Sequence, residues 1–235
     1  MTKLRISIML NILFILAAVF FAVKRYKFNY DLDHPKKTVS FLDNPQYIEQ
    51  TKIMSAYHLQ SKVVLLGNSH IYKAHWNELL NRGDVGNRGI GSDITEGYLH
   101  RLQYVFDCHP AVCFIEGGIN DIEHHIPEDK IVNNLSRIAD TLRSAGIVPV
   151  LTTVFHVSPA AEAATFYNDR VSSLNLLIKD LAKQKHLNCI DLNPSIAPEN
   201  ELLPEFSQHD GVHLTGKAYE IWARAIDSTL ITLHL

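Results

Sequence analysis

Beyond residue 60 two apolar patterns alternate along the chain. Short runs bounded by glycine or polar residues mark buried strands: Val63–Leu66 in "VVLLGNSH", the brief "DVGNRG" from Asp84 to Gly89, "AVCFIEGG" from Ala111, "IVPVLTTV" from Ile147 and "LNCIDL" from Leu187. Between them the apolar residues keep helical spacing, as in Ile131, Leu135, Ile138 and Leu142, or Val171, Leu174, Ile178 and Leu181. Asp93 and Glu96 are spaced as a capping box, opening a segment with Tyr98, Leu102 and Val105 on one face. A final helix carries Leu214, Ala218, Ile221, Trp222, Ala225 and Ile226, with Thr215 placed to cap it. Upstream, "DNPQYIEQTKIMSAYHL" from Asp43 predicts an amphipathic helix starting behind Asn44-Pro45. These stripes read as core contacts. Strand–helix alternation predicts a three-layer α/β/α sandwich around a mostly parallel five-stranded sheet, one domain over residues 40–235.

The N-terminus follows another rule. After a short basic start (residues 1–5, with Lys3 and Arg5), residues 6–23 carry no charge, and "KRYK" follows at once. In helix this stretch spans about 27 Å, close to the thickness of a bilayer's hydrocarbon core. Ala17, Ala18 and Ala22 do not supply the small-x-small spacing of a cleavage site, so the segment reads as an uncleaved anchor in the lipid bilayer. Residues 24–39 then form a polar linker. Lys24, Arg25, Lys27, Lys36 and Lys37 would by charge keep the domain cytoplasmic. Large domains are nevertheless exported with little regard to charge, and the expectation is a domain on the periplasmic or extracellular side.

Composition narrows the partners. The chain has 235 residues, 46% of them hydrophobic, and a formal net charge of −3. No Lys/Arg-rich run in the body points to a nucleic-acid partner. The three cysteines, Cys108, Cys113 and Cys189, cannot all pair with one another; free thiols are expected, with a Cys108–Cys113 bridge the alternative.

Four small motifs lie just past predicted strands or beside the last helix. Gly67-Asn68-Ser69-His70 places a serine where open parallel sheets hold ligands. "NRGIGSD" (residues 87–93) is a glycine-bearing turn whose backbone N–H groups could face a pocket. In "GGIND" (residues 117–121) Asn120 offers an amide N–H₂, a competent donor to an oxyanion. In "HDGVHLT" Asp210 and His213 are three apart, close enough for a carboxylate to reach one imidazole nitrogen and leave the other free. Each string taken alone is a turn; in this order they supply a nucleophile, a base, an orienting acid and oxyanion donors.

Together the four motifs resemble the successive sequence blocks of the SGNH hydrolases, the superfamily of the GDSL esterases and lipases. The resemblance covers essentially the whole globular domain and implies that superfamily's flavodoxin-like fold and serine-dependent ester hydrolysis. It implies Ser69 as nucleophile, His213 as general base and Asp210 as orienting acid. Asn120 and the Ser69 N–H would be oxyanion donors. The superfamily's block-two glycine aligns best with Ser92, with Gly91 one place earlier. Its Asp before the serine is Asn68 here, which removes a negative charge beside the nucleophile.

His70 and His156 follow strand ends and read either as pocket-lining or as solvent-facing loop residues. His124-His125 completes no ligand spacing, so no metal is expected, and no cofactor is implied. The substrate class expected is a small acyl ester, such as acetyl on a cell-envelope glycan. O-acyl transfer to a glycan, lysophospholipid or thioester hydrolysis, and a silent glycan-binding module are the alternatives. The sequence leaves the oligomeric state open.

Overall fold

The computed structural model describes residues 13–25, 39–56 and 59–235. Residues 13–25 are helical (α1), with their apolar side chains exposed. The 13 described residues span about 20 Å in helix. Among the described residues no helix is long and apolar enough to cross a membrane. Residues 6–12 of the expected anchor, and residues 26–38 of the expected linker, lie outside the described residues. Ser40–Leu235 forms the second compact unit.

That unit is built on five parallel strands: β1 (Val63–Gly67), β2 (Val85–Gly89), β3 (Val112–Glu116), β4 (Val148–Thr152) and β5 (Asn188–Ile190). Their spatial order is β2-β1-β3-β4-β5, so the strand order reverses beside β1 and opens a crevice at its carboxyl end. β1 and β3 are buried at every position because helices cover both faces of the sheet, to which successive side chains point in turn. Val63, Leu65, Val112, Phe114 and Val150 pack on one side, against Ile71, α4 (Trp76–Leu79) and α11 (Gly216–Thr232). Val64, Leu66, Cys113, Ile115 and Leu151 pack on the other, against α8 (Glu128–Ser144) and α9 (Ala164–Lys185). The remaining helices are α2 (Pro45–Ala56) and six short ones: α3 (Ser69–Tyr72), α4, α5 (Thr95–His100), α6 (Gln103–Phe106), α7 (Ile119–Glu123) and α10 (Asn193–Ile196). The three-layer α/β/α sandwich is the architecture expected from the sequence. All three cysteines are free, Cys108 and Cys113 buried and Cys189 half-buried.

Three local expectations are corrected. The segment opened by Asp93 is two helices, α5 and α6, because Arg101 is drawn fully into the interior between them. Asp93 and Glu96 form no capping box. Helix α5 starts after Ile94 without a side-chain cap; Asp93 pairs with Arg101, and Glu96 with Lys130. Thr215 does precede α11, but its hydroxyl donates to the Glu205 carbonyl (2.8 Å) rather than capping the helix.

Candidate active site

The apolar run of β1 ends at Gly67, and the chain turns directly into α3. Asn68 caps the turn: its Oδ1 accepts from the His70 N–H (2.8 Å), and Ser69 stands first in the helix. The backbone of α3 lies so close to β2 that a Cβ on Gly89 would strike the Tyr72 nitrogen. Past β3, Gly118 has φ +135°, a conformation side chains rarely adopt, and this sharp turn starts α7 with Asn120 in its first turn.

The fourth motif is a tight loop before α11. Asp210 Oδ1 accepts from the N–H groups of Val212 and His213, both at 2.9 Å. Its other oxygen, Oδ2, lies 2.6 Å from His213 Nδ1. The Ser158 N–H donates to the Gly211 carbonyl (2.7 Å), and a bridge between Ser207 and Leu214 closes the base of the loop. His213 Nε2 is 3.1 Å from Ser69 Oγ. A carboxylate, an imidazole and a hydroxyl thus stand in series, although Ser69 and His213 are 144 residues apart.

The electrostatics suit a base. Burial pushes the Asp210 carboxyl up, yet the bonds from His213 and Val212 outweigh it and hold the group well below the usual carboxylate range. Burial pushes the His213 imidazole down, and the charge of Lys73 adds to this. The bond to Asp210 pulls the other way, and the net position is below 6.5. At neutral pH the ring is therefore uncharged, able to accept a proton.

Ser69, Gly91, Ser92, Asn120, Asp210 and His213 line one cavity of about 470 Å³. Ser92 is held at φ +56°, the left-handed region that favours glycine, so a side chain sits where the backbone would more easily take none. Asn120 is nearly buried; its Nδ2 donates one N–H to the Asp93 carbonyl (2.9 Å) and has a second to offer. Gln46, Tyr72, Lys73, Ile119, Glu123 and Val212 complete the wall. Sequence reading did not single these out. Lys73 had the clearest available signal, lying one helical turn after Ser69. Among the described residues no group of three or more His, Cys, Asp or Glu side chains could hold a metal ion.

His70 and His156 do not line this cavity. His70 is buried behind Ser69, its ring directed at the Val212 carbonyl and Glu116. His156 lies towards β5, with Nδ1 at 2.9 Å from Asn193 Oδ1 and Nε2 at 3.0 Å from Ser172 Oγ, and it borders a different surface cavity. Both rings are consumed by buried contacts that a strand-end position does not reveal.

One buried cation ties the motifs together. The Arg101 guanidinium donates to Asp93 Oδ2 (2.7 Å), to the Arg88 carbonyl of β2 (2.6 Å) and to the Gly67 carbonyl of β1 (2.8 Å). Since Asn120 hangs on the Asp93 carbonyl, this one side chain links the ends of β1 and β2 to the amide at the end of β3. Asp121, the last residue of "GGIND", is also buried. It accepts from the Thr95 N–H and from the Thr95 hydroxyl (2.6 Å), and burial raises its carboxyl to about 6.

Parallel strands in this order, with a hydroxyl, an imidazole, a carboxylate and an amide gathered at their carboxyl end, define the fold and site of an SGNH-type hydrolase. The chain belongs to the GDSL-like Lipase/Acylhydrolase family, whose profile matches residues 65–221, and is thus an ester-hydrolysing enzyme. Among solved structures it is similar to a GDSL-like lipase from Bacteroides thetaiotaomicron (24% identity, TM-score 0.69, covering 80% of this chain and 98% of that one). The lipase/acylhydrolase from Enterococcus faecalis matches at 23% identity with a TM-score of 0.64, over 73% of this chain and 95% of that one. An acetylxylan esterase from Geobacillus stearothermophilus, in the form of a catalytic mutant, matches at 18% identity with a TM-score of 0.60, over 72% and 94%. No curated protein sequence matches the chain significantly.

Proposed function

We propose that the protein is a serine esterase that removes a small acyl group, acetyl the best fit, from a hydroxyl of a cell-envelope glycan. His213 takes the Ser69 proton as Oγ attacks the ester carbonyl. The N–H groups of Ser69 and Ser92 and the free N–H of Asn120 receive the developing oxyanion. His213 then passes the proton to the departing sugar oxygen, and the acyl group stays on Ser69. Water attacks this ester with His213 again as base, releasing the acid and restoring the serine. Asp210 stays ionised throughout, fixing the imidazole's tautomer and stabilising its charged form.

The observation that carries the reading is the series Ser69–His213–Asp210, at 3.1 and 2.6 Å, opening on the same cavity as Asn120. The wall supports a small acyl group and a polar alcohol. Ile119 and Val212 are its aliphatic side chains, whereas Gln46, Tyr72, Lys73 and Glu123 offer polar and charged groups. A long acyl chain would need a larger apolar surface. The fold shared with an acetylxylan esterase is consistent with this choice. In the same reading the apolar stretch 6–23 tethers the domain to a bilayer, with the domain on the periplasmic or extracellular side. Cleavage of the domain by protease added to intact cells tests that placement.

The catalytic test compares the full chain with Ser69→Ala on p-nitrophenyl acetate and on acetylated oligosaccharides. The expected loss in kcat is about 10³- to 10⁶-fold, and parent-like turnover by Ser69→Ala refutes the assignment. Adding an unacetylated glycan acceptor separates hydrolysis from transfer: free acetate as the main product is expected. Acetylated acceptor in excess over acetate would make the protein an acyltransferase.

A further inference from the structure

Beneath Ser69 lies a set of buried polar groups that the chemistry above does not use. Glu116 ends β3, fully buried, with neither carboxyl oxygen hydrogen-bonded. In the sheet it sits between Gly67 of β1 and Thr152 of β4, whose hydroxyl likewise has no partner. A buried carboxyl is costly unless something compensates it, so its presence calls for a reason. One titratable neighbour is His70, the residue after the nucleophile, whose Nδ1 faces Glu116 Oε1 at 3.6 Å, ion-pair range but too long for a hydrogen bond. The hydroxyls of Tyr98 and Tyr219 also feel the charge of Glu116.

His70 is held from several sides. Its N–H donates to Asn68 Oδ1 (2.8 Å), and its carbonyl accepts from the Tyr219 hydroxyl (2.9 Å). Its ring meets Phe155 and His213 edge-on, with centroids at 5.4 and 5.7 Å. Nε2 lies 3.1 Å from the carbonyl of Val212, the residue before the base. A carbonyl oxygen only accepts, so Nε2 carries a hydrogen and donates it. Turning the ring over would exchange both nitrogens for carbons, facing one C–H to Val212 and another to Glu116. The Val212 carbonyl therefore selects the rotation that aims Nε2–H at the loop, and Nδ1 is left facing Glu116.

We propose that His70 is a positioning residue that fixes the distance between Ser69 and His213 by joining the nucleophile's helix to the loop of the base. One imidazole connects the neighbour of the serine to the neighbour of the histidine. Neither His70 nor Glu116 lines the cavity, so neither touches substrate. The inference rests on the assignment of Ser69 and His213 as reacting groups.

The test uses the full chain carrying His70→Phe or His70→Gln. Phenylalanine keeps the ring's packing but has no donor. Glutamine places an amide N–H₂ the same number of bonds from Cα as the imidazole Nε2. A misplacement near 1 Å costs about 100-fold in rate, so His70→Phe should lose about that much in kcat with KM within about twofold of the parent. His70→Gln should recover to within about tenfold of the parent. In ¹⁵N spectra of the parent at neutral pH, the His70 hydrogen should sit on Nε2. Parent-like kcat in His70→Phe overturns the proposal, as does His70→Gln no better than His70→Phe. If His70→Phe does not fold, a hydrogen found only on Nδ1 overturns it instead. These failures differ from failure of the esterase reading, in which Ser69→Ala itself would keep parent-like turnover.

Discussion

Replacing Arg101 with methionine tests whether the buried guanidinium holds the active end of the sheet together. The side chain and its partner Asp93 are both fully buried, at 0% exposure, and 2.7 Å apart. Methionine fills much of the stem's volume but leaves Asp93 with only the Ile94 N–H, at 2.9 Å, as a bonded donor. It also removes the donors to the Gly67 and Arg88 carbonyls. Breaking a buried ion pair from one side costs about 3–5 kcal/mol, because a charge is left uncompensated. That is a large share of the roughly 5–15 kcal/mol that holds an ordinary domain folded. In urea titrations of the full chain the midpoint should fall by about 2 M, at slopes of roughly 1–3 kcal/mol per M. The companion substitution Asp93→Asn in the same chain removes the stranded charge while keeping the backbone carbonyl that holds Asn120. It should regain at least about 1 kcal/mol. A loss below about 1 kcal/mol in Arg101→Met, or no recovery in the double variant, would show that this pair does not anchor the motifs.

Four further outcomes follow from the same geometry. Asn120→Ala removes one oxyanion donor and should cost about 2.7–4 kcal/mol of transition-state stabilisation, read as a 10²- to 10³-fold fall in kcat with the melting temperature little changed. The His213 imidazole is held below 6.5 and is inactive when protonated, so kcat/KM should rise with pH through a midpoint below 6.5 and then level off. Lys73→Met removes a cation that disfavours protonation, and should move that limb to higher pH; a shift downwards would contradict the sign. Ser92→Gly relieves a left-handed side chain at φ +56° and should raise stability by about 0.5–1 kcal/mol in thermal or urea unfolding while keeping esterase activity, since the donor there is a backbone N–H.

What sequence could disclose followed from how local each feature is. All five strands were legible, β1, β3 and β4 because a buried strand reads as a short apolar run and β2 and β5 from their place in the strand–helix alternation, and their starts and ends shifted by a residue or two. The long amphipathic helices α8, α9 and α11 were legible from their stripes. The Asp93 segment misled, since Asp-x-x-Glu before an apolar pattern has the spacing of a cap. What decides the matter is Arg101, whose burial depends on carbonyls of β1 and β2 far away in sequence. The same limit applied to the site. Ser69, Asn120, Asp210 and His213 sit in strings short enough to recognise, and the structure gathers them around one cavity. His70 and His156 occupied plausible strand-end positions, yet their rings face inward, to partners 142 residues away at Val212 and 37 away at Asn193. No spacing along the chain encodes those contacts. Gln46 and Glu123 reach the cavity only through the packing of helices around it, which is why neither carried a motif.

In the proposed mechanism the base sits in the loop ahead of the last helix, whereas the hydroxyl it would serve is made at the first strand. A ribosome therefore completes all five strands before it makes the imidazole. Throughout most of synthesis Ser69 is an ordinary alcohol, unable to capture acyl groups from the surroundings of the growing chain. Any product of premature termination before residue 213 inherits the same inertness, however well its sheet has assembled.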